Sequence, residues 1–279
     1  MHNKITFRDL GQQGRLGNQL FQIAATISTA IDKELVPVFP PWEYNKYLKT
    51  PLPTEQVIPT DTLLEEGFHF SPINLGNCIE GPIKVPVSEK IFNLSGYFQS
   101  EKYFRKHREI ILQMFEMEPN RLDSLLEQNF HKTGYKFYAN ELYKSFCAIH
   151  VRRGDYVDNP HYAQLGMDYY KEAIRTLVNL PTNDAPIVFF VFSDDIAWCK
   201  ENFPSHFVFM EGNTDFEDLT LMSLCNYFIT ANSSFSWWGA YLSKSKHKHV
   251  IFPSQWFGEA KQYKDTKDLY FEGSRSFIP

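Results

Sequence analysis

The 279-residue chain is 43% hydrophobic and 22% charged with a formal net charge of −5, which excludes wholesale disorder and disfavours a general nucleic-acid or anionic-membrane binder. Its four cysteines are scattered, with no CxxC pair and no Cys/His spacing of a zinc site, so a reduced, intracellular protein is expected. No apolar run approaches the roughly 20 residues that span a bilayer, and the N-terminus lacks a signal-peptide core.

Ile5 to Leu10 reads as a first apolar strand, followed by the glycine-bearing turn Gly11 to Gly17. From Asn18, a plausible N-cap, Leu20, Phe21, Ala24, Ile27 and Ile31 recur at helical spacing. Leu35 to Phe39 completes a βαβ unit. Residues 40–96, punctuated by eight prolines, read as loops and short elements. Helical stretches are expected over 101–116 and 119–129.

From Ser145 strands and helices alternate more cleanly. Strands are predicted at 146–151, 187–192, 207–210, 227–230 and 250–252, and helices at 167–177, 197–202, 216–225 and 235–243. Near-continuous apolar strands between helices argue a parallel, doubly wound sheet. The basic stretch Lys244 to Lys248 reads as a solvated turn. The 25 Phe, 15 Tyr and 5 Trp are assigned mainly to the core, with a few left to line a ligand cleft.

Polar residues gather where these strands end. His150-Val151-Arg152-Arg153-Gly154-Asp155 places two guanidinium groups, suited to phosphate oxygens, after a buried strand. Asp155 would hold one of them in place. Ser193-Asp194-Asp195 follows the next strand; Ser193 or Asp194 would cap the helix, or a carboxylate there would accept from a base or ribose. Asn232-Ser233-Ser234-Phe235 leads straight into a helix, whose free N–H groups and dipole favour an anion. Together these ends describe a pocket for a nucleoside diphosphate. No P-loop, no GxSxG elbow and no DxD metal signature is present.

The stretch from His150 to Val157 resembles the HxRRxD motif of α1,2-, α1,6- and protein-O-fucosyltransferases, and in full it is similar to the α1,2-fucosyltransferase family, glycosyltransferase family 11, in a bacterial-type form. Gly14 to Gln22, Phe192 to Cys199 and Leu221 to Leu242 resemble that family's other motifs in the same order. The resemblance implies an α/β, GT-B-like fold: two Rossmann-like domains facing a central cleft. The expected boundaries are 1–143 on the acceptor side, 144–258 for the GDP-sugar, and a tail over 259–279.

It further implies inverting transfer of L-fucose from GDP-β-L-fucose to O2 of a terminal β-galactoside. The fold would need no obligatory metal and no cofactor besides the donor. The expected partners are GDP-fucose and a galactose-terminated glycan, with no nucleic acid and no integral membrane segment. The expected location is the cytoplasm, or the inner face of the membrane. By position, Arg152 would grip the β-phosphate, and Arg153 joins it in the motif. His150 would lie near the nucleotide, Asp194 near guanine or ribose, and Ser233, Ser234 and Phe235 at the diphosphate. Asn18 would sit near the reaction centre. Asp155 is the first candidate for general base, with Asp158 and Asp9 as alternatives. Other readings are another fucosyl linkage such as α1,6, another GDP-sugar, or a non-catalytic glycan-binding protein. Phe235, Trp42 and Tyr44 are the aromatic candidates for lining a sugar-nucleotide cleft.

Overall fold

Two sheets of mostly parallel strands, each in its own compact unit, organise the chain. The structure is a computed structural model that describes residues 2–81, 89–130, 145–180, 186–246, 248–273 and 275–279. One unit comprises Met1–Glu118 with Asp265–Phe271; the other comprises Pro119–Lys264 with Glu272–Pro279. The expected boundary at 143/144 falls outside the described residues.

The first unit holds β1 (Lys4–Thr6), α1 (Leu16–Lys33), β2 (Val36–Val38), β3 (Asp61–Leu64), β4 (Ile79–Glu80), β5 (Ile91–Ser95) and α2 (Arg108–Met114). Its sheet has the order β2-β1-β5-β3-β4, parallel except for the β3–β4 pair. Three of the five strands thus come from the stretch expected to be loops and short elements; each has five residues or fewer, too short for a clear period. The expected helix over 101–116 breaks into two 3-10 turns and α2. Asn18 is not the N-cap of α1: Arg15 is, in extended conformation with no side-chain cap.

The second unit holds α3 (Pro119–Phe130), β6 (Ser145–Val151), α4 (Met167–Val178), β7 (Ile187–Ser193), α5 (Ile196–Asn202), β8 (Val208–Phe209), α6 (Asp215–Ser223), β9 (Tyr227–Ile229), α7 (Ser234–Leu242), β10 (His249–Pro253) and β11 (Arg275–Ile278). All its strand pairs are parallel, in the order β8-β7-β6-β9-β10-β11. Counted within the unit this is the Rossmann order 3-2-1-4-5-6. The last 21 residues do not simply trail: β11 forms one edge of this sheet, and the Asp268 carboxylate accepts from the Phe70 N–H at 3.1 Å in the first unit.

Side chains alternate across a strand, so one face of the second sheet carries Cys147, Ile149, Val151, Phe189 and Val191, packed against Tyr169, Tyr170 and Ala173 of α4 and Cys199 of α5. The other face carries Phe146 and Phe190. Phe190 meets Phe130 of α3 edge-on at 5.3 Å. A capping box at Thr214 and Glu217 starts α6. A Cβ on Gly239 of α7 would come within 2.8 Å of Met222 of α6, so that glycine permits close packing of the two helices. Lys248 is not simply solvated: its Nζ donates to the carbonyls of Ala240 and Ser243 at 2.8 and 3.2 Å, at the end of α7.

The aromatic surplus is largely core. Trp237, Trp238, Tyr170, Tyr241, Phe7, Phe21 and Phe192 are all under 2% exposed. Trp42, a candidate for lining a cleft, is buried, and its indole N–H donates to Gln19 Oε1 at 2.7 Å.

Candidate active site

In a sheet of this order the chain leaves β6 toward β7 on one side, while β9 lies on the other. Ligands of open α/β sheets bind outside the carboxyl ends of the strands at such a switch point. The segments after β6, β7 and β9 are the three that the sequence singles out.

After β6, Arg152 has a side chain only 13% exposed, held by two carboxylates. Its Nη2 meets Asp155 Oδ1, and its Nη1 lies 2.8 Å from Asp194 Oδ2. The guanidinium also lies over the Tyr156 ring, 5.3 Å from its centroid. Arg153 donates through Nε to Asp195 Oδ2 at 3.0 Å and lies 4.2 Å from the Trp198 ring centroid. Its backbone N–H donates to Asp194 Oδ1 at 2.9 Å. Asp194 thus grips Arg152 by its side chain and Arg153 by its main chain. A Cβ on Gly154 would come within 2.4 Å of Asp194 Oδ2, so this grip requires the glycine.

The expected cap of α5 is corrected by one residue. Asp195, not Ser193 or Asp194, is the N-cap, accepting from Trp198 N–H at 3.2 Å. Ser193 Oγ supports it by accepting from Asp195 N–H at 2.9 Å. The shift leaves Asp194 available to the arginines.

After β9, Ser233 is the N-cap of α7, its Oγ accepting from Phe235 N–H at 3.3 Å. Asn232 is buried, and its Nδ2 donates to the carbonyls of Ala163 and Trp256 at 3.1 and 2.8 Å. Ser234 begins the helix, and Ser234 and Phe235 remain half-buried. This turn is joined to the end of β6 by Tyr156, whose hydroxyl donates to the Asn232 carbonyl at 3.2 Å. Tyr156 in turn stacks on Tyr162 with centroids 3.7 Å apart and planes 7° apart. The residues from 156 to 162 that tie these ends together gave no sequence signal beyond the motif's tyrosine.

His150 lies one residue before the end of β6, 5% exposed, its ring 5.2 Å from that of Phe235. Its Nδ1 is buried without a hydrogen-bond partner. Burial, and secondarily the Arg152 charge, push its pKa down to about 3, so the imidazole is neutral.

The structure therefore gathers His150, Arg152, Arg153, Asp155, Asp194, Ser233 and Phe235 in one sheet-end cluster. It also modifies the expected electrostatics. Three carboxylates surround two guanidinium groups, so a dianion is not met by net positive charge. What these ends present instead are directed N–H groups, those of Arg152 and of the N-terminus of α7. Asn18 belongs to the first unit, where Gln99 Nε2 donates to its Oδ1 at 2.5 Å. Asp9 pairs with Arg8 Nε at 3.0 Å. Asp158 is exposed, with a left-handed φ of 58°.

Two Rossmann-like units, one ending in an arginine–carboxylate cluster beside a serine-capped helix, define a GT-B glycosyltransferase fold. The sequence profile of glycosyl transferase family 11 matches residues 1–270, and the chain belongs to this family. An alpha-1,2-colitosyltransferase of Escherichia coli is 37% identical over 172 residues, covering 58% of this chain and 55% of that protein. Galactoside alpha-(1,2)-fucosyltransferase 2 of Oryctolagus cuniculus is 26% identical over 249 residues, covering 84% of this chain and 66% of that protein. The chain thus matches between about half and two thirds of the length of these relatives. In fold it is similar to POFUT1 in complex with GDP-fucose, with a TM-score of 0.53, 14% identity, and coverage of 90% and 97% of the two chains. Among the described residues no helix is long and apolar enough to cross a membrane, and no group of three or more His, Cys, Asp or Glu side chains is placed to hold a metal ion.

Proposed function

We propose that this chain is an inverting glycosyltransferase that moves L-fucose from GDP-β-L-fucose to O2 of a terminal β-galactoside. The observation that carries the reading is the placement of Arg152, pre-oriented by Asp194, beside the Ser233-capped start of α7 at the sheet's switch point. Family membership narrows that anion site to a sugar nucleotide.

In the reaction the acceptor O2 attacks C1 of fucose, the bond from C1 to the β-phosphate oxygen breaks, and configuration inverts. GDP leaves with the bonding electron pair, and the O2 proton passes to a base. Arg152 and the N–H groups at the start of α7 stabilise the charge growing on the diphosphate. In this reading the charge on the diphosphate is met by directed N–H groups rather than by a divalent ion. Neutral His150 serves the nucleotide as a hydrogen-bonding group. Asp155, whose side chain is 49% exposed, is the carboxylate in this cluster free enough to take the proton.

A second donor is favoured by the 37% identical colitosyltransferase. Colitose lacks the 3-hydroxyl of fucose, and a site built to hydrogen-bond that hydroxyl would discriminate by about 10⁴–10⁵. The test is a donor panel of GDP-fucose, GDP-colitose and GDP-mannose with methyl β-D-galactopyranoside, in excess EDTA, with linkage analysis of the product. Transfer from GDP-fucose to O2 supports the reading. Transfer from GDP-colitose alone replaces the donor, and a strict requirement for a divalent ion removes the metal-free mechanism. An Arg152→Ala variant that folds and turns over normally would overturn the assignment of the site.

A further inference from the structure

The reaction as derived depends on where the first N–H groups of α7 point, yet β9, the strand that leads into this helix, is only three residues long. Its short ladder leaves the direction of the helix start to other contacts. The residue before the cap is Asn232, 1% exposed, past the end of β9, which lies between β6 and β10 in the sheet. Its Nδ2 donates twice, to main-chain carbonyls of both flanking loops. One bond runs to Ala163 at 3.1 Å, on the loop after β6, and the other to Trp256 at 2.8 Å, on the loop after β10. A carboxamide nitrogen carries two N–H groups, so Asn232 has none left for a phosphate.

The two loops are also joined to each other. Tyr162 and Phe257 form an antiparallel bridge. The Gly258 N–H donates to the His161 carbonyl at 3.1 Å, and the Ala260 N–H to the Pro160 carbonyl at 3.1 Å. A Cβ on Gly258 would crowd the Pro160 carbonyl oxygen and come within 2.7 Å of that of Tyr162. Both obstacles are backbone, so this approach requires the glycine. The loop after β6 also carries Tyr156, whose hydroxyl returns to the Asn232 carbonyl. Asn232 is thus bonded to both loops by its side chain and to one of them by its main chain. On the helix side, Ser236 Oγ donates to the carbonyls of Ala231 and Ser233, both at 3.2 Å. The residues on either side of Asn232 are therefore carried with the first turn of α7.

We propose that Asn232 is a positioning residue for the transfer. Its buried amide fixes the direction of the first N–H groups of α7, and it draws on the loop after β10 to do so. This rests on the transferase reading and extends it to a residue and a loop that the mechanism does not otherwise use. A single hydrogen bond would let the turn pivot; bonds to two separate loops, themselves joined, do not. N–H groups already aimed where charge grows need no reorganisation during the reaction. Bound GDP can follow a displaced helix start, whereas a misplacement of about 1 Å is costly in the transition state. Asn232 therefore acts on turnover more than on GDP affinity.

The test uses the full chain with GDP-fucose as donor and methyl β-D-galactopyranoside as acceptor. Asn232→Ala should lower kcat about 10-fold or more while the Kd for GDP, measured by calorimetry, stays within about threefold of the parent. Asn232→Ser, which keeps one donor, serves if the alanine variant fails to fold by circular dichroism, and should lower kcat about threefold or more. Gly258→Ala displaces the loop after β10 and should lower kcat by about threefold on its own. In a folded Asn232 variant the same change should cost less than about twofold more, because coupled sites are not additive. Unchanged kcat in a folded Asn232 variant of an active parent overturns the positioning role, and so does a loss of GDP affinity as large as the loss of kcat. Losses that multiply in the double variant overturn the part given to the loop. A parent chain with no affinity for GDP overturns the transferase reading, and the positioning role with it.

Discussion

The Tyr156 hydroxyl donates to the Asn232 carbonyl at 3.2 Å, so the end of β6 and the start of α7 are fastened by one side chain. The same ring lies beneath Arg152 and stacks on Tyr162. Tyr156→Phe keeps both ring contacts and removes only the fastening. It should cost about 1 kcal/mol of stability, or roughly 2–4 °C in Tm. If the fastening positions the diphosphate between Arg152 and α7, kcat should fall about 10-fold with little change in GDP affinity. Tyr156→Leu, which also removes the cation–π contact, should weaken GDP binding in addition. Calorimetry with GDP and steady-state kinetics separate the two effects. A purely structural tyrosine would lower Tm in both variants without splitting kcat from affinity.

Much of the second unit was legible in the sequence. Its strands are near-continuous apolar runs, and the polar residues after β6, β7 and β9 converge because a Rossmann order brings those ends together. What escaped was set by partners distant in sequence. β5 is short and pairs with β1 and β3, both distant in the chain, and β3 pairs with its chain neighbour only through the two-residue β4. Gln99 lies 81 positions from Asn18, and no local pattern marks it. The cap of α5 was misplaced because Ser193, Asp194 and Asp195 are all competent caps. Only the position of Arg152 and Arg153 decides that Asp194 turns to them instead.

Gly154→Ala tests the grip of Asp194. The added methyl would come within 2.4 Å of Asp194 Oδ2, and the carboxylate must swing away. Arg152 then loses its less exposed partner while Asp155 keeps hold of it. GDP affinity should fall about 10-fold, the effect of a loss near 1.4 kcal/mol, with the fold retained. Asp194→Asn should give a similar loss. Unchanged GDP affinity in both would show that Arg152 needs no orientation by Asp194.

Asp155→Asn should move binding and turnover in opposite directions. In the free protein Asp155 competes with any phosphate for Arg152 Nη2. It is half-exposed, so the pair is worth no more than about 1 kcal/mol, and removing the charge should tighten GDP binding about 2- to 5-fold. If Asp155 also takes the acceptor proton, kcat should fall by about 10²–10⁴. Tighter GDP binding with normal kcat would assign the base elsewhere, whereas weaker GDP binding would show Asp155 to be an orienting partner like Asp194.

Acid stability should reveal two groups of opposite sign. His150 titrates near 6.5 when unfolded and is pushed down to about 3 by burial in the native state. Between those values only the unfolded chain binds the proton, so stability falls as pH falls, by about 1.4 kcal/mol per unit. Asp218 behaves in reverse. Burial raises it from 3.8 to about 7, while Asn213 Nδ2 donates to its Oδ1 at 2.9 Å. Between about 4 and 7 only the native chain binds that proton, so this contribution is complete below 4 and is lost as pH rises to 7. In the shared window the two slopes oppose and the parent should be nearly flat with respect to this pair. Asp218→Asn mimics the protonated form and can still accept from Asn213. It should match the parent near pH 4 and grow more stable than it by about 1.4 kcal/mol per unit up to about pH 7. Urea unfolding of both proteins at several pH values measures this, and a stability difference that does not change with pH would show that Asp218 is ionised throughout.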